Sequence, residues 1–272
     1  MKNYFILQSP QKGPTILLVG GLHGDEITPW ILLNELRSMS IARGKAIVVP
    51  FVNSEGLLQN SHEYPKNGID LNREFDIEEE SLRQIKSFVR QSDIIIDFHT
   101  HQYTETLPYA VIIGDFDEEK GLSSLARDLG LKYAEYISYS DQPERLKGTL
   151  FYHALSKGKK SIVVEMSNVA DISTKDYGAL KQGMRDMISG AVREHTALPT
   201  KLKRFPSPKA IIVTHRFFGL DDLVKKGDIL FEARDINTGK KVRIVSKGSG
   251  ILVTQSLKTI VQKDRTLYRL AE

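Results

Sequence analysis

The sequence contains no cysteine in 272 residues. Disulfides, thiolate metal sites and a cysteine nucleophile are therefore excluded, and any bound metal must be held by His, Asp or Glu. No apolar run is long enough to cross a bilayer, so a membrane is not an expected partner. Residues 1–8 read as a short strand without the apolar core or cleavage site of a signal peptide, which makes the cytoplasm the expected compartment. There is no internal repeat and no low-complexity segment. Strong charge of one sign is also missing: the formal net charge is +4. The densest basic groups, at 157–160 and 201–204, carry no aromatic-basic motif. They read as solvated surface, so nucleic acid is not an expected partner. A mild positive charge suits an anionic small-molecule substrate.

What is present is ordinary globular composition, 40% hydrophobic and 26% charged. The first two hundred residues alternate apolar runs with amphipathic stretches. Strands are expected at 15–19, 46–52, 94–98, 110–113 and 161–165. Helices are expected at 30–37, 78–90, 122–129, 152–156 and about 177–195. Apolar strands alternating with helices imply an α/β fold with a mostly parallel or mixed central sheet flanked by helices. Near residue 200 the composition changes. The stretches 198–201 and 205–208 read as a linker. Beyond them, short β runs at 210–214, 229–233, 242–245, 251–254 and 266–270 are separated by glycine turns. The expected division is a catalytic domain over 1–200 and a small all-β domain over 205–272.

The chemistry concentrates at strand ends, where ligands bind in such sheets. After the first long strand comes Gly20-Gly21-Leu22-His23-Gly24-Asp25-Glu26. His23 and Glu26, three residues apart where a loop enters a helix, can converge on one metal ion. Zinc accepts nitrogen and oxygen ligands, and a catalytic site needs three of them. His99 offers the third from the end of the next apolar run, with His101 ranked below it further into the loop. Asp97 lies two residues before His99 and on the same side of the strand, where it can accept the second ring N–H of a ligating histidine. In Asp70-Leu71-Asn72-Arg73, the Asn72–Arg73 pair offers a fork for a carboxylate. Glu165 ends the fifth apolar strand and is the candidate general base.

Taken together, His23-x-x-Glu26, Asp70-Leu71-Asn72-Arg73-x-Phe75, Asp97-x-His99 and Glu165 resemble the zinc carboxypeptidase superfamily. Within it the chain is most similar to the succinylglutamate desuccinylase/aspartoacylase family. The stretch from Gly148-Thr149-Leu150 to Glu165 and the β-rich tail favour that branch. The resemblance implies one Zn2+ per chain, bound by His23, Glu26 and His99. It also implies a carboxylate-bearing substrate gripped by Asn72 and Arg73, and Glu165 as base. Relatives carry a carbonyl-polarising arginine where this chain has Pro65. Lys66 beside it, or Arg145, is expected to substitute. Where relatives commonly have glycine after the catalytic glutamate, this chain has Met166-Ser167-Asn168. The implied activity is hydrolysis of the amide bond of an N-acyl amino acid. The alternatives are a cytoplasmic zinc carboxypeptidase acting on a peptide or muropeptide and a non-catalytic binding protein that kept the fold. A homo-oligomer stays open.

Overall fold

The computed structural model describes residues 3–101, 103–141, 143–169, 175–190 and 197–272. The chain divides into two compact units. One comprises Met1–Thr100 and Pro108–Pro199, the other His101–Leu107 and Thr200–Glu272.

In chain order the first strands are β1 (Phe5–Gln8), β2 (Thr15–Gly20), β3 (Lys45–Val49), β4 (Ile94–His101), β5 (Thr104–Thr106), β6 (Tyr109–Ile113), β7 (Tyr133–Ile137) and β8 (Lys160–Ser167). β5 belongs to the second unit. The rest form the sheet of the first unit in the order β1-β3-β2-β4-β8-β6-β7. β2 runs parallel to both β3 and β4. β1 is antiparallel to β3, and β8 is antiparallel to β6, so the sheet is mixed.

The helices are α1 (Ile27–Asn34), α2 (Ser54–Gln59), α3 (Arg83–Gln91), α4 (Asp117–Lys120), α5 (Leu122–Asp128), α6 (Pro143–Leu146), α7 (Leu150–Ser156) and α8 (Lys175–Ser189). They cover both faces of the sheet. Ile16 and Leu18 pack with Leu32 and Leu33 of α1, Leu122 of α5 and Met184 of α8. Leu17 and Val19 pack with Ile85, Phe88 and Val89 of α3. Alternate residues of β2 thus enter two separate cores, which is why its sequence is continuously apolar.

Several boundaries differ from the sequence expectation. α1 begins at Ile27 and includes Pro29. A proline is tolerated there because the first-turn N–H groups have no intrahelical partner. Residues 35–38 tighten into a 3-10 turn. The last expected helix is α8, and 191–195 lie outside the described residues, as do residues 1 and 2 of the N-terminal strand expectation. β7 and α2 gave no clear pattern, since buried Glu135 interrupts the one and the other is six residues long.

Parts of both expected linker stretches, 200–201 and 205–206, belong instead to strand β9 (Thr200–Pro206). It is followed by β10 (Ile211–Arg216), β11 (Leu223–Val224), β12 (Ile229–Asp235), β13 (Lys241–Val245), β14 (Gly250–Ser256), β15 (Ile260–Val261) and β16 (Thr266–Ala271). Its lysines and arginine hid two inward residues, Leu202 and Phe205, and it pairs antiparallel with β16. In this unit β14 joins β16, β11 and β5, and β12 lies between β10 and β13. Phe205, Ile211, Phe231 and Tyr268 lie in its core. Among the described residues, no helix of the chain is long and apolar enough to cross a membrane.

Candidate metal centre

β2, β4 and β8 are neighbours in the sheet. Their starts are tied together. Asp93 N–H donates to Thr15 O at 2.8 Å, and Lys160 N–H donates to Asp93 O at 3.1 Å. Their far ends, carrying His23 and Glu26, His99, and Glu165, therefore come to one edge. The loop after β2 turns at Gly21, with φ of +63°. A Cβ there would sit 2.4 Å from the Phe51 ring, so glycine is required on both counts.

Glu26 stands between two imidazoles. Its Oε1 is 2.9 Å from His23 Nδ1 and its Oε2 is 3.0 Å from His99 Nδ1. All three side chains are buried. Burial alone would raise the Glu26 carboxyl, but His99 and His23 overcome it and bring it down to about 2. Burial likewise opposes charge on His23, yet Asp70 and Glu26 lift that imidazole to about 9. His99 is raised well above its ordinary value against the same burial, by Asp97 and Glu26.

Each imidazole has a second carboxyl group behind it. Asp70 Oδ1 lies 3.1 Å from His23 Nε2 and also accepts Asn72 N–H at 2.8 Å. Asp97 Oδ2 lies 3.1 Å from His99 Nε2. The alignment is not that of a hydrogen bond, and neither oxygen of fully buried Asp97 accepts one among the described residues. Three carboxyl groups, two of them buried and Asp70 part-buried, thus face two imidazoles, an arrangement that suits a cation. Two ring nitrogens and a carboxylate are also a donor set that zinc accepts, with carboxylates orienting the rings from behind. The residues fit a metal ion.

His62 is a further histidine here, one that sequence reasoning did not single out. His23, Glu26 and His62 each offer an atom within 4.8 Å of the other two. The His62 ring is stacked on His23 at 3.8 Å and 14°, and its Nδ1 is 3.1 Å from buried Asp25 Oδ1. The His23 and His62 rings are nearly parallel, so the lone pairs of their nitrogens run side by side and do not converge on one point. The His99 ring is tilted by 48° from His23, and its Nδ1 is already directed at Glu26. His62 as placed supports His23 by stacking. No spacing rule reaches His62 from His23, since the loop that brings it back is set by tertiary structure. Asp70 was visible in its motif, but its role behind His23 was not.

The remaining expected residues are placed as follows. Asn72 is buried, its Nδ2 3.1 Å from His99 Nε2 while its Oδ1 accepts Leu150 N–H at 2.9 Å. It therefore packs against the His99 ring as well as standing next to Arg73. Arg73 Nη1 donates to Asn72 O at 2.7 Å, and its side chain is 44% exposed, so much of the guanidinium is open to a ligand. Glu165 is half-buried on β8. Lys66 Nζ is paired with Glu55 Oε1 at 2.9 Å on the surface, and Arg145 is exposed on α6. His101 ends β4.

The sequence model for the succinylglutamate desuccinylase/aspartoacylase catalytic domain matches residues 12–191. The chain belongs to this family. It is a family of deacylases. One relative is the N-alpha-acetyl-L-2,4-diaminobutyric acid deacetylase of Halomonas elongata, 30% identical over 136 residues. That match covers 45% of this chain and 40% of the relative's length. Solved structures share the fold at lower identity. The product-bound ectoine utilization protein EutE of Ruegeria pomeroyi superposes with a TM-score of 0.76 at 20% identity, covering 98% of this chain and 87% of that one. A succinylglutamate desuccinylase from Silicibacter sp. gives 0.78 at 18% identity, covering 99% and 88%.

Proposed function

We propose that the protein is a zinc-dependent hydrolase that removes the acyl group from an N-acyl amino acid. The observation that carries this reading is the carboxylate of Glu26, held between the Nδ1 atoms of two buried histidines. His23, Glu26 and His99 would hold the ion. Bound there, zinc supplies a Lewis acid that polarises the scissile carbonyl and acidifies water.

The chain's own residues do the rest. Asp70 orients the His23 ring, and the negative charge of Asp97 beside His99 Nε2 favours a proton on that nitrogen, so that the Nδ1 atoms are left for the ion. The open face of the Arg73 guanidinium, with Asn72 beside it, binds the substrate carboxylate, and Arg145 is a further cation for it. Glu165 takes a proton from the attacking water and returns it to the leaving amine, so it ends each cycle as it began. Lys66 is offered for the charge that develops on the carbonyl oxygen. A surface ion pair such as that with Glu55 is weak enough to be given up for this role. The substrate class is extended from the acyl amino acid that the Halomonas relative is named for.

The test is metal content measured together with turnover. Purified protein is assayed for zinc and given a panel of N-acyl amino acids, including N-acetyl-2,4-diaminobutyrate, and short peptides, with and without chelator. The expected result is one zinc per chain and chelator-sensitive release of a free amino acid. Glu165→Gln should keep its zinc and lose about 10²–10⁴-fold in kcat. A variant that keeps both zinc and full activity removes Glu165 from the role of base. Protein that takes up no metal refutes the whole reading.

A further inference from the structure

Glu26 occupies the N-cap of α1, a position whose side chain ordinarily accepts a free N–H of the first turn. It makes no such bond, because the carboxylate is spent on His23 and His99. The missing cap comes from the far end of another strand. Asn168 lies just past β8, three residues beyond Glu165. Its Oδ1 accepts Ile27 N–H at 3.0 Å, and its Nδ2 donates to Asp25 O at 2.7 Å. One amide therefore grips the backbone on both sides of Glu26.

A second clasp joins the same two segments one residue further on. Thr28 Oγ1 accepts Val169 N–H at 2.7 Å and donates its one proton toward Val169 O at 2.7 Å and Ser167 O at 3.1 Å. Thr28 is fully buried. Tyr177 O–H also donates to Ser167 O, at 3.1 Å. The segment after the candidate base is thus fastened to the segment that carries the candidate metal ligand. Of these two clasps, it is that of Asn168 that touches the residues flanking Glu26.

We propose that Asn168 is a positioning residue for the metal centre, acting through Glu26. Its amide caps α1 in place of the Glu26 carboxylate and so leaves both Glu26 oxygens free to face the two imidazoles. It also fixes the backbone of Glu26 against the strand that carries Glu165. The residue type follows from the bond pattern. An amide supplies an acceptor for Ile27 N–H and a donor for Asp25 O at once. A carboxylate at 168 would keep the first and set oxygen against oxygen at the second. Backbone error at Glu26 is transmitted directly to its carboxylate, whereas a lost clasp at Thr28 costs stability without turning that side chain.

This inference rests on the zinc reading above, and its test separates the two. Zinc affinity is measured by competition with a chromophoric chelator on the full chain and on Asn168→Ala, Asn168→Asp and Thr28→Val. The Tm of each metal-free protein is the folding control, and the visible spectrum of the Co2+ form reports the geometry of the ligands. Asn168→Asp keeps the cap for Ile27 N–H and so provides a folded variant if Asn168→Ala is too unstable to study. The expected result is a loss of about 10–100-fold in zinc affinity for both Asn168 variants, the range for residues that orient metal ligands. An altered Co2+ spectrum should accompany it. Thr28→Val should lower Tm while affinity and spectrum stay near wild type. Wild-type affinity and spectrum in Asn168→Ala, or in Asn168→Asp if the alanine variant does not fold, would overturn the proposal. So would a Thr28→Val protein that loses as much affinity as the Asn168 variants. A wild-type protein that binds no metal would instead refute the zinc reading, and this inference with it.

Discussion

Replacing Gly148 with alanine should damage the site through backbone that never touches a ligand. Gly148 has φ of +74°, and a Cβ added there would lie 2.0 Å from Arg73 O and 2.5 Å from Arg73 C. Both are backbone atoms and cannot swing aside. The neighbouring bonds make the contact matter. Phe75 N–H donates to Gly148 O at 3.0 Å, Gly148 N–H donates to Asp76 Oδ2 at 3.0 Å, and Leu150 N–H donates to Asn72 Oδ1 at 2.9 Å. The loop that carries Asn72 and Arg73 is thus fastened to residues 148–150. A left-handed non-glycine residue costs about 1–2 kcal/mol. Forcing atoms into a packed contact costs about 1–3 kcal/mol more, so Gly148→Ala should lose about 2–5 kcal/mol in urea denaturation. The loop must also withdraw by roughly 1 Å, a displacement that can cost about 100-fold in kcat/KM. Gly158→Ala is the control. Its φ is +77°, but nothing lies within 4 Å of an added Cβ, so it should show the backbone strain alone and keep its turnover. If Gly148→Ala is no less stable than Gly158→Ala, or turns over substrate as the wild type does, the steric reasoning is wrong.

The pH dependence of the metal-free protein follows from the Glu26 and His23 shifts. Glu26, brought down from 4.5 to about 2, contributes stability above 4.5 that is lost as pH falls towards 2. His23, raised from 6.5 to about 9, contributes stability below 6.5 that is lost as pH rises through 9. Tm in the presence of chelator should therefore be highest between pH 4.5 and 6.5 and decline towards 9, and saturating zinc should remove that alkaline decline, because the ion takes the place of the protons. A flat alkaline limb without metal would contradict the assigned cause. Asp70→Asn leaves His23 Nε2 without its carboxylate and should weaken zinc binding about 10–100-fold, read by chelator competition. Arg145→Ala should raise KM with kcat retained if this arginine binds substrate, and Lys66→Ala should lower kcat if that lysine stabilises the carbonyl oxygen; steady-state kinetics on the preferred substrate reads both.

Much of the fold was written in local pattern. Continuous apolar runs marked β2, β4 and β8 because each is covered on both faces, and such runs need no partner to be recognised. The same runs pointed to His23, Glu26, His99 and Glu165 as candidates, since a polar residue at the end of an apolar run is a short-range signal. The ends of β9 were misread as linker because Pro199, Pro206 and Pro208 punctuate them, and its outward lysines and arginine gave no strand pattern until a neighbouring strand pairs with it. β7 went unread because buried Glu135 breaks its apolar run.

By itself the sequence determined that any metal must sit on histidine and carboxylate, and it named a family whose motifs supply both. It determined that Asp97 and His99 share a face, because side chains two apart along a strand do so. Tertiary structure alone decided which carboxyl group stands behind which imidazole, that Asn72 is turned towards His99, and that His62 is stacked flat on His23. It alone decided that the cap of α1 comes from Asn168, more than a hundred residues away. These are contacts between side chains brought together by loops. Local sequence sets direction along a strand or a helix, but the meeting of two distant segments depends on how the whole sheet is ordered.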